Sequence, residues 1–200
     1  MAAGAADLLS RRGMHGTSLR EVVRHTDTPR GSIGYHFPGG KAQLIDAAVR
    51  LAQQRVSEIL ERVLREHGAV EGVREAFALR AASLGESCFE AGCPVLAVAV
   101  ERYTDDAKAS PDAGAQQRLL DAANTAFRDW QAIIAAALER EGVAAPRAGS
   151  LAALVVSSIE GAVALCRAAL SLEPINAVGA EVCLLVRTAI SDSQPRGAAG

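Results

Sequence analysis

Near its C-terminal end the chain carries two consecutive helical runs, Arg147–Leu172 and Pro174–Ser191, that are apolar nearly all round. A helix inside one small domain needs a single buried stripe, so these two need partners on at least two sides. Ala152, Ala153, Ser157, Gly161 and Ala162 are small enough to let another helix approach closely. Within the first run, Leu151–Leu172 has the length of a membrane span but holds Glu160 near its centre, with Arg167, Ser157 and Ser158. Charge at mid-span is costly, which makes burial by protein the expected state and a membrane role the unexpected one. A four-helix interface with a second copy of the chain satisfies the requirement, and a homodimer through these last two helices is expected.

The rest of the chain also reads as helix. Half of the residues are apolar but only 4% are aromatic, and the abundant Ala, Leu, Arg and Glu are good helix formers. No alternating run of strand length is present. Helical spacing predicts segments over 2–12, 18–25, Pro29–His36, Lys41–Glu66, Val70–Leu84, Pro94–Tyr103 and Ala115–Glu141, before the two already named. Gly13 stops the first, and Gly68 stops the fourth. Thr104–Gly114 reads as a loop and the tail 192–200 as disordered. An all-α protein of about nine helices follows. Three short helices form an N-terminal domain over 1–44, and six form a second domain over 45–191.

The short helices sit where the charge is. Residues 1–50 hold seven Lys/Arg against four Asp/Glu, whereas 51–200 hold fourteen against nineteen. A basic head on an acidic body suits a chain of which only the head meets a polyanion. Ser18-x-x-Glu21 fits a capping box that opens the second helix. Thr28-Pro29 opens the third, since proline holds the residue before it extended, as an N-cap requires. That third helix is barely two turns long and persists only by packing Ile33 and Phe37 against its neighbours. Two such helices around a tight turn are the skeleton of a helix-turn-helix, whose second helix enters the major groove. Its outward positions are Arg30, Ser32, Tyr35 and His36. Lys41 opposes the dipole of the helix that it opens, a placement favoured when an external anion shares the free N–H groups. Solvated basic residues on a small exposed helix would leave a similar signature.

The wording of this stretch is specific. Thr17-Ser18 opens the second helix, a small-residue turn follows, and Arg30-Gly31-Ser32 forms a tip. Tyr35-His36-Phe37-Pro38 closes it, followed by Gly and Lys41. The segment Gly16–Leu44 thereby resembles the DNA-binding domain of the TetR family of bacterial transcriptional regulators. The run PRGSIGYHFPGGKAQLI is similar to its LmrA/YxaF-like branch, as is the later GCPVLAVAVE (Gly92–Glu101). The resemblance implies that Thr17, Arg30, Gly31, Ser32, Tyr35, His36 and Lys41 touch DNA, and that Leu19, Val22, Val23, Ile33 and Phe37 form the small core. It also implies a cytoplasmic, ligand-responsive regulator, expected to be a repressor that binds a palindromic operator in double-stranded DNA as a dimer. Gly34 stands where many members carry an aromatic residue. The first helix is short and lacks the basic extension often present, so either the start is truncated or fewer phosphate contacts are made, and weaker DNA binding is expected.

The middle helices would then enclose an effector pocket whose ligand pivots the long linking helix. Candidate lining residues are Phe77, Arg80, Leu84, Cys88, Phe89, Cys93, Val98, Glu101, Phe127, Trp130 and Ile134. Mostly apolar walls with sparse polar groups suit a small hydrophobic or amphipathic effector. The four cysteines have no zinc spacing, and no metal or cofactor is expected. Cys166 and Cys183 fall in apolar patterns, where a free thiol acts as a small hydrophobe. Cys88 and Cys93 leave open a redox-sensing regulator, and a helical-bundle enzyme is the alternative from another class. Against the enzyme, no Gly-rich phosphate loop, paired Glu-x-x-His, His-Glu-x-x-His or Gly-x-Ser-x-Gly motif occurs, and no catalytic residue is expected.

Overall fold

The computed structural model describes residues 1–104 and 114–193, and among them every regular element is helical. The elements are α1 (Ala2–Arg12), α2 (Leu19–His25), α3 (Arg30–His36), α4 (Gly40–Glu86), α5 (Pro94–Val100), α6 (Ala115–Arg140), α7 (Ala145–Ala169) and α8 (Glu173–Ser193). The expected loop over 104–114 and tail over 192–200 lie mostly outside the described residues, although Asp192 and Ser193 belong to α8.

The chain forms two compact units that interleave along the sequence. One comprises Met1–Arg55 with Glu90–Phe127, the other Val56–Phe89 with Arg128–Gly200. In the first, Ala5, Leu8, Leu9, Met14, Val22, Leu44, Ile45, Ala48 and Val49 are buried, together with Val95, Val98 and Leu119. These follow the i, i+3/i+4 spacing of their helices, which is why three short helices can persist beside α4.

In the second unit, Gly68 interrupts α4 with φ 76°. Glycine meets little steric cost there, where a side chain would be strained. The Glu141 carboxylate accepts a hydrogen bond from the Ala69 N–H, satisfying a donor freed by the break. Beyond it the chain folds back, and a Cβ on Gly72 would come within 2.8 Å of the Leu64 Cα. The expected stop at Gly68 is therefore a tight corner between two helical segments. Helices α7 and α8 form a hairpin closed by Leu170 in the left-handed region, with the Ser171 N–H bonded to the Cys166 carbonyl. Gly179 sits against the ring of Phe77, which a Cβ would meet at 3.0 Å.

Two helix boundaries differ from the sequence expectation. The N-cap of α3 is Pro29, not Thr28. Thr28 instead turns its hydroxyl toward Thr26, with 2.6 Å between the two oxygens. Short hydroxyl side chains readily bond nearby groups in a turn, and here that competes with capping. Helix α5 ends at Val100, so Glu101 and Tyr103 fall outside it, with Glu101 extended at the C-cap.

Candidate nucleic-acid interface

The entrance to the reading unit is built by Ser18, whose hydroxyl accepts a hydrogen bond from the Glu21 N–H at 3.1 Å, as a capping residue does. Glu21 holds Arg24 and Arg12 through its carboxylate. Helix α2 ends at Thr26, whose hydroxyl returns to the Val22 carbonyl at 2.8 Å. Asp27 then takes φ 49°, the left-handed step that lets a short turn redirect the chain. Val22 is fully buried beneath the turn.

Helix α3 presents its polar side outward. Tyr35 is 84% exposed, and His36 beside it is exposed too. The two rings meet edge to face, 5.3 Å between centroids. Gly31 and Gly34 have nothing within 4 Å of where a Cβ would lie, so both face open space. Ser32 is half-buried and donates its hydroxyl to the Pro29 carbonyl at 2.6 Å. Ile33 and Phe37 are half-buried, and the Phe37 N–H closes the last turn on the Ile33 carbonyl. The result is a small platform with a phenol, an imidazole and open backbone.

Two expected DNA-touching residues are buried in this structure. Thr17 is fully buried, and its hydroxyl donates to the Gly13 carbonyl at 2.8 Å. It braces the turn between α1 and α2 from inside, so its side chain offers no surface to a duplex. Lys41 is only 3% exposed, with its ammonium 5.9 Å from the centroid of the Tyr103 ring. A cation over a ring face is an ordinary cation–π arrangement, and it answers the puzzle of a lysine placed against its own helix dipole. The start of α4 is served by Gln43, whose side-chain oxygen accepts from the Gly39 N–H at 2.8 Å. Gln43 drew no attention in the sequence, although a Gln in the first helical turn is a capping signal.

The eleven candidate effector residues divide between the units. Phe77, Arg80, Leu84, Cys88, Phe89, Trp130 and Ile134 belong to the second, and Cys93, Val98, Glu101 and Phe127 to the first. Phe77, Leu84, Trp130 and Ile134 are buried. The guanidinium of Arg80 reaches the Ser83 hydroxyl at 3.3 Å, while its other terminal nitrogen is buried without a hydrogen-bond partner. Cys88 and Phe89 both take positive φ at the end of α4, and Arg167 donates to the Phe89 carbonyl at 3.2 Å. Cys93 accepts from the Leu96 N–H at the start of α5. All four thiols are free, and burial pushes that of Cys183 up from its ordinary value. Glu101 departs most from its expected place. Its carboxylate points to the turn after α1 and accepts from the Met14 N–H at 2.7 Å. An open groove of about 520 Å³ lies between the first turns of α4 and α6. Its lining includes Gln43, Asp46, Arg50, Arg118 and Asp121, and none of the eleven.

Residues 2–48 match the bacterial regulatory proteins of the tetR family, and residues 69–181 match the C-terminal domain of the LmrA/YxaF-like transcriptional regulators. The chain belongs to the TetR family. Within it, an uncharacterised HTH-type transcriptional regulator of Mycobacterium tuberculosis is 32% identical over 178 residues, covering 89% of this chain and 88% of its own. The HTH-type transcriptional regulator LmrA of Bacillus subtilis is 30% identical over 177 residues, covering 86% of each. Among solved structures, a TetR regulator from Legionella pneumophila superposes with a TM-score of 0.75 at 20% identity, over 92% of this chain and 94% of the other. One from Rhodobacter sphaeroides gives 0.73 at 18% identity, over 92% and 96%. The fold is that of a TetR regulator, a helix-turn-helix head followed by a helical C-terminal region. This TetR-family protein is thus a DNA-binding, ligand-responsive transcriptional regulator and not an enzyme. Regulators of the family bind DNA as dimers.

Proposed function

We propose that this TetR-family regulator is a cytoplasmic repressor that holds a palindromic operator as a homodimer, with α3 of each copy in the major groove. The observation that carries the reading is the outward face of α3, where Tyr35 and His36 stand clear of the protein beside open Gly31 and Gly34. A tyrosine there supplies a ring for a thymine methyl and a hydroxyl for a base edge or phosphate. Ser32 and Arg30, the side chain of the latter lying outside what the structure describes, complete the proposed reading set. Thr17 and Lys41 act behind it, the first fixing the turn and the second the start of α4.

The dimer reading is supported by α7 and α8. Both are long and apolar enough to cross a membrane by length and composition. Leu165 is 56% exposed and Leu184 is 54% exposed, with Leu154, Leu170 and Leu185 also outward. Leu154, Gly161, Leu165 and Ala168 share one face of α7 by helical spacing. In a family of regulators that bind DNA as dimers, a second copy is the natural cover for that face. Two α3 helices would then stand about one duplex turn apart.

The effector is proposed to be a small hydrophobic or amphipathic molecule. Buried Phe77, Leu84, Trp130 and Ile134, all in one unit, support this, and Arg80 of the same unit would supply a polar anchor. The test is direct. Purified protein is titrated onto fragments from upstream of its own gene, and protection of a palindrome is expected. Hydrophobic cationic and aromatic compounds are then screened for release. A protein that protects no palindrome contradicts the operator reading, and one that no compound releases contradicts the effector class.

A further inference from the structure

The segment from Glu90 to Glu101 grips the end of α1 and the turn after it at three places. The Gly92 N–H donates to the Ser10 carbonyl at 2.7 Å. Arg11 pairs with Glu90 at 2.7 Å. The Glu101 carboxylate accepts from the Met14 N–H at 2.7 Å, and the same oxygen lies 3.4 Å from the His15 N–H and 3.3 Å from His15 Nδ1. All of these residues belong to one compact unit. Two successive backbone N–H groups converging on a carboxylate oxygen make a small anion cradle, here filled by the protein's own side chain.

Gly13 is shaped to that carboxylate. It is buried and takes φ 68°, and a Cβ there would lie 2.0 Å from Glu101 Oε1. Any side chain at position 13 would displace Glu101. From the cradle the bonding runs on to the reading unit without a gap. The Thr17 hydroxyl holds the Gly13 carbonyl, the Thr17 N–H holds the Met14 carbonyl at 3.3 Å, and Ser18 then caps α2. Helix α3, too short to hold itself, takes its position from α2.

We infer that Glu101 is a positioning residue for operator recognition: it fixes the turn that sets α2 and α3, although it lies in the part of the chain matching the C-terminal domain. The inference rests on α3 being the reading helix. Charge-assisted bonds to backbone N–H groups are short and directional, which suits a joint that must hold an angle rather than add bulk stability. Losing it blurs the placement of α3 against the bases while leaving the charges that attract any duplex. Sequence-specific and non-specific affinity therefore separate.

The full-length protein is compared with Glu101→Ala and Glu101→Gln on the fragment that the wild type protects and on an unrelated duplex, at one salt concentration. Dimer state is followed by sedimentation and folding by thermal unfolding. The expected result is a loss of about ten-fold or more in operator affinity for Glu101→Ala, with unrelated duplex bound as before and the dimer intact. Glu101→Gln, whose amide oxygen still accepts the Met14 N–H, recovers most of the operator affinity. Gly13→Ala also lowers operator affinity, because it displaces Glu101 and adds backbone strain at φ 68°, and combining the two costs less than the sum of their separate effects. If Glu101→Ala is recovered unfolded, Glu101→Asp replaces it, since the shorter side chain withdraws the carboxylate from the cradle. Operator affinity equal to wild type in Glu101→Ala or its replacement overturns the inference, as does an equal fall on both duplexes or strict additivity with Gly13→Ala. A wild type that protects no fragment overturns the reading helix instead, so the two failures are distinguishable.

Discussion

Helix α3 and the α7–α8 pair both present side chains to solvent that another molecule could use, but they lack different things. Helix α3 is seven residues long, is held by half-buried Ile33 and Phe37, and turns out Tyr35 and His36. Its outward groups are polar or amphipathic and need no cover to be stable in water. The α7–α8 pair is longer and is closed by left-handed Leu170, and it turns out Leu154, Leu165, Leu184 and Leu185. Burying a leucine gains roughly 1.5–3 kcal/mol over leaving it exposed, so this face favours lasting cover. The contrast separates two kinds of recognition. On the proposed reading, the α7–α8 face takes an obligate partner, whereas α3 takes one that it can leave. A switchable regulator needs both, because a reader that never released would carry no signal.

The sharpest way to break that contrast is to charge the apolar face. Leu165→Glu combined with Leu184→Glu is expected to give monomers in sedimentation and to reduce operator affinity by about a hundred-fold or more, since two half-sites are no longer held together. Undiminished dimers in that variant would place the partner surface elsewhere. Tyr35→Ala tests the other side. At 84% exposure its loss should change stability by no more than about 0.5 kcal/mol. Operator affinity is expected to fall about ten-fold, the size of one good base contact. Normal operator affinity by fluorescence anisotropy would remove Tyr35 from the reading surface.

Much of this architecture was legible in residue spacing. Ser18 at the cap of α2, the break at Gly68 and the bounds of α6 follow from capping chemistry, glycine and apolar periodicity, which are local. The positions that the structure places differently are those where tertiary contact overrides a local rule. Thr28 loses the cap to Pro29 because its hydroxyl has Thr26 within reach. Lys41 opposes the dipole of its own helix, which pointed to an external phosphate, yet its ammonium lies over Tyr103, sixty-two residues away in the chain. Glu101 sits in a run that resembles a family signature, and that resemblance gave it a place among the effector residues. Its actual partners, Met14 and His15, offer backbone N–H groups, which no side-chain pattern announces. Gly13 carried the one available hint. It reads as an ordinary helix stop, but it is also a position that a side chain would block.

Gly34 sharpens the picture of α3 as a platform held for its outward face. Mid-helix glycine costs roughly 0.5–1 kcal/mol relative to alanine, and nothing lies within 4 Å of where its Cβ would stand. Gly34→Ala is therefore expected to raise stability by up to that amount, seen as a higher midpoint in denaturant unfolding. If the open space belongs to DNA backbone, the same variant will lose operator affinity while gaining stability. If affinity is unchanged, the duplex does not approach α3 at this point.

The smallest effect is expected at Lys41, and it is the most informative for what the head contributes to DNA binding. Each phosphate that a protein neutralises on duplex DNA steepens the fall of log affinity with log salt by about 0.9. Lys41 is a buried residue whose ammonium lies over the Tyr103 ring, a placement that does not neutralise one. Lys41→Met keeps the apolar stem and removes the charge, so the salt slope should stay within error of wild type. A small stability change is expected instead, from the lost cation–π contact of about 0.5–2 kcal/mol. A slope reduced by about 0.9 would mean that Lys41 leaves Tyr103 for a phosphate when DNA arrives. The start of α4 would then belong to the reading surface that changes on binding, and α3 would not be the only part of the head that a duplex can rearrange.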